Sequence, residues 1–251
     1  MIRLGRLGKG AKPIDIGVSG ARRGPVRIGA LEHVTAIVKP GTFGQIAAEL
    51  FAATLAREHG MRIAEPILVF DPEAKELLAG SIDLDLPNIC IAYPDLDPTV
   101  TADFEVLMQK IKAWPEHAML CAFDEWIKNF DRNIKNLLWD GAGCTPIDHA
   151  MSLNQHNPHM KDANKLVTSL FSVIPDDVGK RRLCNQMKRS ALAFDEACLT
   201  ESTLQLSLIG YPLISEFAPI FDSFLKDRLP LLDRIIKARF PYGQLLLIQS
   251  T

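Results

Sequence analysis

The spacing of apolar residues switches between strand and helix periods along this chain, and those switches limit what it can fold into. At 33–39, Val34, Ala36 and Val38 alternate with Thr35 and Ile37 in a β-branched run, which is the periodicity of a strand. Residues 64–71 read as a further strand, 75–84 as a turn plus short strand, and 88–97 as a strand leading into a Pro- and Asp-rich connector, while Pro40-Gly41 stops the strand before them. Within this region, 45–59 has a different spacing. Ile46, Leu50, Phe51, Thr54 and Leu55 recur at helical intervals, and Gly60 stands just past the end. From about residue 101 helical spacing takes over. It predicts helices over 103–113, 115–128 (Pro115 in its first turn), 161–173, 176–193, 203–208 and 219–239. The expectation is an α+β chain: a small N-terminal lobe of antiparallel sheet with one main helix at 1–97, then a mostly helical lobe at 98–251.

Composition narrows the function classes. Hydrophobic residues at 47% and charged residues at 23% exclude a disordered or fibrous chain. Lys plus Arg number 28 against 30 Asp plus Glu, so broad nucleic-acid binding is not expected, although a local basic patch stays open. The five cysteines form no C-x-x-C pair, which fits free thiols in a reducing compartment. The N-terminus has no continuous apolar core of a secretory signal, and no stretch approaches the roughly 20 apolar residues of a membrane span. A soluble, cytoplasmic protein with no membrane partner is the expectation.

The stretch NFDRNIKNLLWDGAGCTPIDHAMSL, 129–153, places Asp131, Asn136 and Asp148 around a tight turn at Asp140-Gly141. It reads as loop, strand, turn, strand, loop, which carries the polar residues to the strand ends. Two carboxylates and a carboxamide are hard oxygen ligands suited to Mg²⁺, and one acid can stay free of metal to accept a hydroxyl proton. Lys39, ending a strand, can reach a nucleotide phosphate, with Glu49 on the next helix holding it in place. Residues 17–29 carry four glycines and one proline, so they read as a loop between two strands, and its first part, 17–24, can bring backbone N–H groups close to phosphate. Each feature also has a plainer reading: a solvated Lys39, a surface Glu49, a flexible N-terminal arm, and Asp148 capping a helix.

Asp131-Arg132-Asn133-x-x-Asn136, a hairpin and then Ile147-Asp148-His149 resemble the D-R-H-x-x-N and I-D motifs of HipA-like kinases, within the wider phosphoinositide-kinase-like, protein-kinase-like superfamily. The glycine segment, the strand ending at Lys39 and the helix bearing Glu49 look like that family's phosphate loop, nucleotide lysine and helix acid. The resemblance covers about residues 16–153. It implies a two-lobed protein-kinase-like fold and an ATP- and Mg²⁺-dependent kinase with a protein Ser or Thr as acceptor, a lipid or small molecule staying open. By the same resemblance Asp131 is the catalytic base, acting with Asn136, while Asn136 and Asp148 hold Mg²⁺. Lys39 and Ser19 contact phosphates, Glu49 supports Lys39, and residues 90–93, ending in Tyr93, form the hinge at adenine. Arg132 braces the catalytic loop through a carboxylate or carbonyl.

The chain departs from the pattern at Asn133, where His is usual, and at Ala48, where Asn commonly precedes the helix acid. Asn133 keeps a second reading in play, an inactive pseudokinase working as a nucleotide-binding interaction module. A third is a helical interaction protein with no nucleotide site. His149, His156 and His159 form a loose group without the partners of a metal site.

Overall fold

The computed structural model describes residues 1–14, 20–153 and 164–240. In chain order the elements are strands β1 (Arg3–Leu7), β2 (Lys12–Pro13), β3 (Arg22–Ile28) and β4 (Glu32–Lys39), helix α1 (Phe43–Glu58), and strands β5 (Pro66–Asp71) and β6 (Glu76–Ile82). Helices α2 (Ile89–Ala92), α3 (Thr101–Ala113) and α4 (His117–Trp126) follow, then a 3-10 turn (Ile134–Asn136) and the hairpin β7 (Leu137–Trp139) and β8 (Cys144–Pro146). The rest is α5 (Lys165–Val173), α6 (Asp177–Ala191), α7 (Glu196–Ser207), α8 (Pro212–Ser215), α9 (Phe217–Arg228), a second 3-10 turn (Leu229–Leu231) and α10 (Leu232–Arg239).

The chain forms two compact units. One comprises Met1–Leu86, Ile147–Ser152 and Glu196–Ser223, and the other Pro87–Pro146, Leu153–Asp195 and the chain from Phe224 on. A division at 97–98 was expected, but the first stretch of the first unit ends at Leu86, and two later segments belong with it.

In the first unit the sheet closes on itself. The order β1-β5-β6-β4-β3 is completed by pairing of β3 with β1, giving a five-stranded barrel with β2 attached to β3. Closure leaves no free edge among those five strands. The expectation of an antiparallel sheet needs one correction: β1 runs parallel to β5, with Gly5 opposite Val69, while it pairs antiparallel with β3. A parallel pair needs a long crossover, and the chain from 8 to 65 supplies it through β2, β3, β4 and α1. The barrel interior is Leu7, Val26, Ala36, Val38, Ile67, Val69 and Leu78. These residues follow strand alternation: Ala36 and Val38 are buried while Thr35 is exposed. Each fully buried Val, Ile or Leu contributes roughly 1.5–3 kcal/mol.

α1 starts with a capping box. Thr42 Oγ1 accepts from the Gln45 N–H at 3.3 Å, and Gln45 Oε1 accepts from the Thr42 N–H at 2.9 Å. The helix packs against β5, β6, α7 and α8 and is buried nearly all round, with Phe51 edge-on to Phe221 at 5.4 Å.

The second unit is mostly helical. α4 packs on α6 and α10 and buries almost every side chain, because Trp126 stacks on Phe194 at 5.1 Å and its indole N–H donates to the Leu225 carbonyl at 3.1 Å. Three expectations change here. Residues 88–97 are not a strand, because Asn88 Oδ1 accepts from the N–H groups of Cys90 (3.0 Å) and Ile91 (3.1 Å) and so caps the short helix α2. The single helix expected over 219–239 is broken into α9 and α10 by a 3-10 turn at Pro230. Pro115 lies just before α4, not in its first turn. Among the described residues no helix is long and apolar enough to cross a membrane.

The loop expected over 17–29 also changes, since β3 occupies its second half. A Cβ on Gly24 would lie 2.6 Å from Ala11 Cβ and 2.7 Å from Ala11 Cα, a backbone atom that cannot swing away. Gly24 is therefore a packing glycine of the barrel. Gly24→Ala should cost about 1–3 kcal/mol, read as a lower urea midpoint at unchanged slope.

Candidate active site

In the first unit, four of the chemically interesting side chains come together. β4 ends at Lys39, whose Nζ lies 3.1 Å from Asp148 Oδ2. Asp148 has a left-handed backbone, φ 66°, which an aspartate tolerates better than most residues but still at some cost. The next residue, His149, is buried. Its backbone N–H donates to Glu49 Oε2 at 2.5 Å, and its Nδ1 stands 3.6 Å from Glu49 Oε1, longer than a hydrogen bond. Neither ring nitrogen of His149 makes a hydrogen bond among the described residues. Glu49 was expected to hold Lys39; it instead takes His149, and Lys39 bonds Asp148.

The Glu49 carboxyl is set by opposed effects. Burial pushes its pKa up, but the His149 imidazole and N–H, together with the Lys39 ammonium, overcome this and pull it down to about 2 from the ordinary 4.5.

In the second unit, the loop after α4 is built on one buried carboxylate. Asp124 Oδ2 receives Arg132 Nε at 3.1 Å and Asp124 Oδ1 receives Arg132 Nη2 at 3.2 Å, with both side chains fully buried. The same Oδ1 accepts from Asn129 Nδ2 at 3.2 Å, and Asn129 Oδ1 accepts from the Asp131 N–H at 3.2 Å. Arg132 thus braces the loop from inside and is no surface residue. The Asp131 carbonyl accepts from Asn133 Nδ2 (3.2 Å) and Asn136 Nδ2 (3.4 Å), and Asn133 Oδ1 caps the 3-10 turn through the Lys135 N–H at 2.9 Å. The hairpin β7–β8 follows as expected, its turn closed by Asp140 Oδ1 accepting from Ala142 (2.9 Å) and Gly143 (2.7 Å) with Gly141 at φ 98°.

The Asp131 carboxylate, 41% exposed, pairs with Lys165 Nζ at 2.5 Å. Lys165 was not visible to sequence reasoning. It opens α5, where Asn164 caps the helix by accepting from the Val167 N–H at 3.1 Å and anchors it by donating to the Cys121 carbonyl at 3.2 Å. The only signal was that cap. Asp124 was missed as well, since nothing in α4's pattern marks an acid whose partner lies eight residues on.

The remaining sites resolve differently. Residues 90–93, expected as a hinge strand, are the end of α2, and the Tyr93 ring packs 6.1 Å from Trp139 with Lys110 Nζ 4.2 Å over its centre. Ser19, His156, His159 and the apolar segment 245–250 lie outside the described residues. Asp148 Oδ1 and Asn136 Oδ1 carry no hydrogen bond among the described residues, so each offers the hard oxygen that Mg²⁺ prefers.

Such a chain is a mixed α/β protein, a small closed barrel followed by helices. No family model matches it, and no curated protein does. Among solved structures it is similar in fold to the crystal structure of a Helicobacter pylori proinflammatory kinase, CtkA, with a TM-score of 0.50 and 15% identity, over 91% of this chain and 97% of that one.

Two outcomes are expected. Arg132→Ala leaves the Asp124 carboxylate buried without its partner and should cost about 3–5 kcal/mol, seen as a fall in Tm. For Glu49, a depressed folded pKa means stability present above about pH 4.5 and lost as pH falls towards 2. Glu49→Gln should therefore flatten the acid limb of a stability–pH curve in that window and leave its neutral limb unchanged in shape.

Proposed function

We propose that the chain is an ATP- and Mg²⁺-dependent phosphotransferase with a two-lobed protein-kinase-like fold, whose acceptor is a Ser or Thr hydroxyl of a protein. The observation that carries this is the Lys39–Asp148 ion pair, because two residues far apart in sequence, each singled out for phosphate chemistry, meet at 3.1 Å. The fold likeness to a kinase supports the same reading.

Lys39 would bind nucleotide phosphate through its ammonium, and Asp148 and Asn136 are the residues that would hold the metal. Magnesium, when bound, offsets the charge that gathers on the phosphate oxygens. Glu49, kept ionised, fixes the His149 backbone and so the position of the adjoining Asp148. Asp131 takes the proton of the acceptor hydroxyl as its oxygen bonds to the γ-phosphorus and the bond to the β-phosphate oxygen breaks, releasing ADP. Arg132 and Asn136 keep the Asp131 backbone in place for that step. ATP and a protein substrate are the partners this reading assigns.

One observation favours a second reading. Lys165 occupies the Asp131 carboxylate, and Asn133 stands where the motif has His, as in a nucleotide-binding module that does not turn over. Thermal unfolding with and without Mg-ATP, followed by transfer of labelled γ-phosphate to a protein acceptor or to the chain itself, separates the two. Expected is stabilisation of about 2.7 kcal/mol at ligand one hundred times above Kd, abolished in Asp148→Ala. Asp131→Ala should keep the stabilisation and lower transfer by about 10²–10⁴. Stabilisation without transfer in the unaltered protein would establish the second reading, and no stabilisation would overturn both.

A further inference from the structure

The chain as a whole is nearly neutral, yet α6 carries Lys180, Arg181, Arg182, Lys188 and Arg189 against a single acid, Asp177. Its inner face is apolar: Leu183, Cys184 and Met187 are buried, and the helix packs there on α4 and α10. Its outer face is a groove of about 560 Å³ lined by Val178, Arg181, Arg182, Asn185, Gln186 and Arg189. A second hollow of about 340 Å³ shares Val178, Arg182 and Gln186 and adds Lys112 from the end of α3. The cations differ in how they are used. Lys188 pairs with Asp233 at 2.8 Å, and Arg181 lies over the Phe240 ring at 5.3 Å. Arg182 and Arg189 are exposed, and their side chains make no ion pair or hydrogen bond among the described residues.

Spacing selects the occupant. Arg182 and Arg189 are two turns apart on one face, about 10 Å along the axis at 1.5 Å per residue. A peptide extended as a polyproline II helix has three residues per turn and advances about 3.1 Å per residue, so carboxylates three positions apart lie on one side of it at close to the same interval. Each guanidinium forms a charge-assisted fork to a carboxylate, and Asn185 and Gln186 lie between them with donors and acceptors for the peptide backbone. The groove from Val178 to Arg189 is about 16 Å long, room for about five extended residues. A nucleic acid fits less well. The lining holds no aromatic ring on which a base could stack, and two unpaired arginines are far fewer than the phosphate contacts that give such complexes their affinity.

The geometry points to the outer face of α6 as a docking groove for an extended acidic segment of a partner protein, with Arg182 and Arg189 each taking one carboxylate. This surface is independent of phosphotransfer, and its binding needs no nucleotide. The test is fluorescence anisotropy with a short fluorescein-labelled peptide of Glu at every third position and Ser between. A Gln-for-Glu peptide and a thymidine oligonucleotide of the same net charge serve as comparisons. Expected is binding by the Glu peptide that weakens as salt rises through 0.15 M, where the Debye length is about 8 Å. The Gln peptide should bind about tenfold more weakly, and Arg182→Glu with Arg189→Glu should weaken the Glu peptide at least about tenfold. Both side chains are exposed, so Tm should not move; should the charge reversal disturb folding, Arg182→Gln with Arg189→Gln gives the same readout. Absent binding of the Glu peptide, affinity unchanged by the substitutions, or tighter binding of the oligonucleotide to the same arginines would overturn the assignment.

Discussion

A charge withdrawn from water must be met by a partner, and the functional loops of this protein take their shape from two such requirements. In the helical unit the charge is Asp124, fully buried in α4, and Arg132 answers it with two hydrogen bonds. That bond pulls Arg132 inward, so Asp131 beside it is left near the surface, where its carboxylate pairs with Lys165. In the barrel unit the charge is Glu49, and the chain from Ile147 to Ser152 bends through a left-handed Asp148 to bring the His149 N–H to it. Asp148 then meets Lys39. In both cases the residue that does the proposed chemistry is positioned by a neighbour that pairs with an acid, Asp124 fully buried and Glu49 partly so.

The barrel gives this arrangement its rigidity. Because β1 bonds to both β3 and β5, Lys39 at the end of β4 sits on a closed wall and not on an edge that could fray. α1 starts at a capping box three residues later and packs on β5 and β6, so the distance from Lys39 to Glu49 is set by regular structure at both ends. The Asp131 loop has a comparable frame: α4 before it is buried on nearly all sides, and the β7–β8 hairpin follows it.

Much of the secondary structure was legible. The strand at 33–39, the helix at 45–59 and the hairpin around Asp140-Gly141 are found because their periodicity and turn residues are local properties. Misreadings arose where one side chain or one distant strand decides. Asn88 turns residues 89–92 into a helix by capping it, against a run that alternates like a strand. Residues 22–28 are rich in Arg and Gly yet form β3, since pairing with β1, β2 and β4 supplies hydrogen bonds that composition does not announce. Of the candidate residues, Lys39, Asp131, Asn136 and Asp148 could be picked out by residue type and order, whereas Asp124 and Lys165, and the pairing of His149 with Glu49, could not.

What the sequence determined by itself is the inventory and its order: a β-patterned first part, a helical remainder, and a short polar stretch holding Asp131, Asn136 and Asp148. Those follow from side-chain type and from spacing along the chain, both readable without folding. Only the tertiary structure decided that the sheet closes through a parallel pair, that Glu49 serves His149 and not Lys39, and that Arg132 points inward to Asp124. Each of these depends on which buried groups find one another across long separations, and a buried charge chooses its partner by proximity in space.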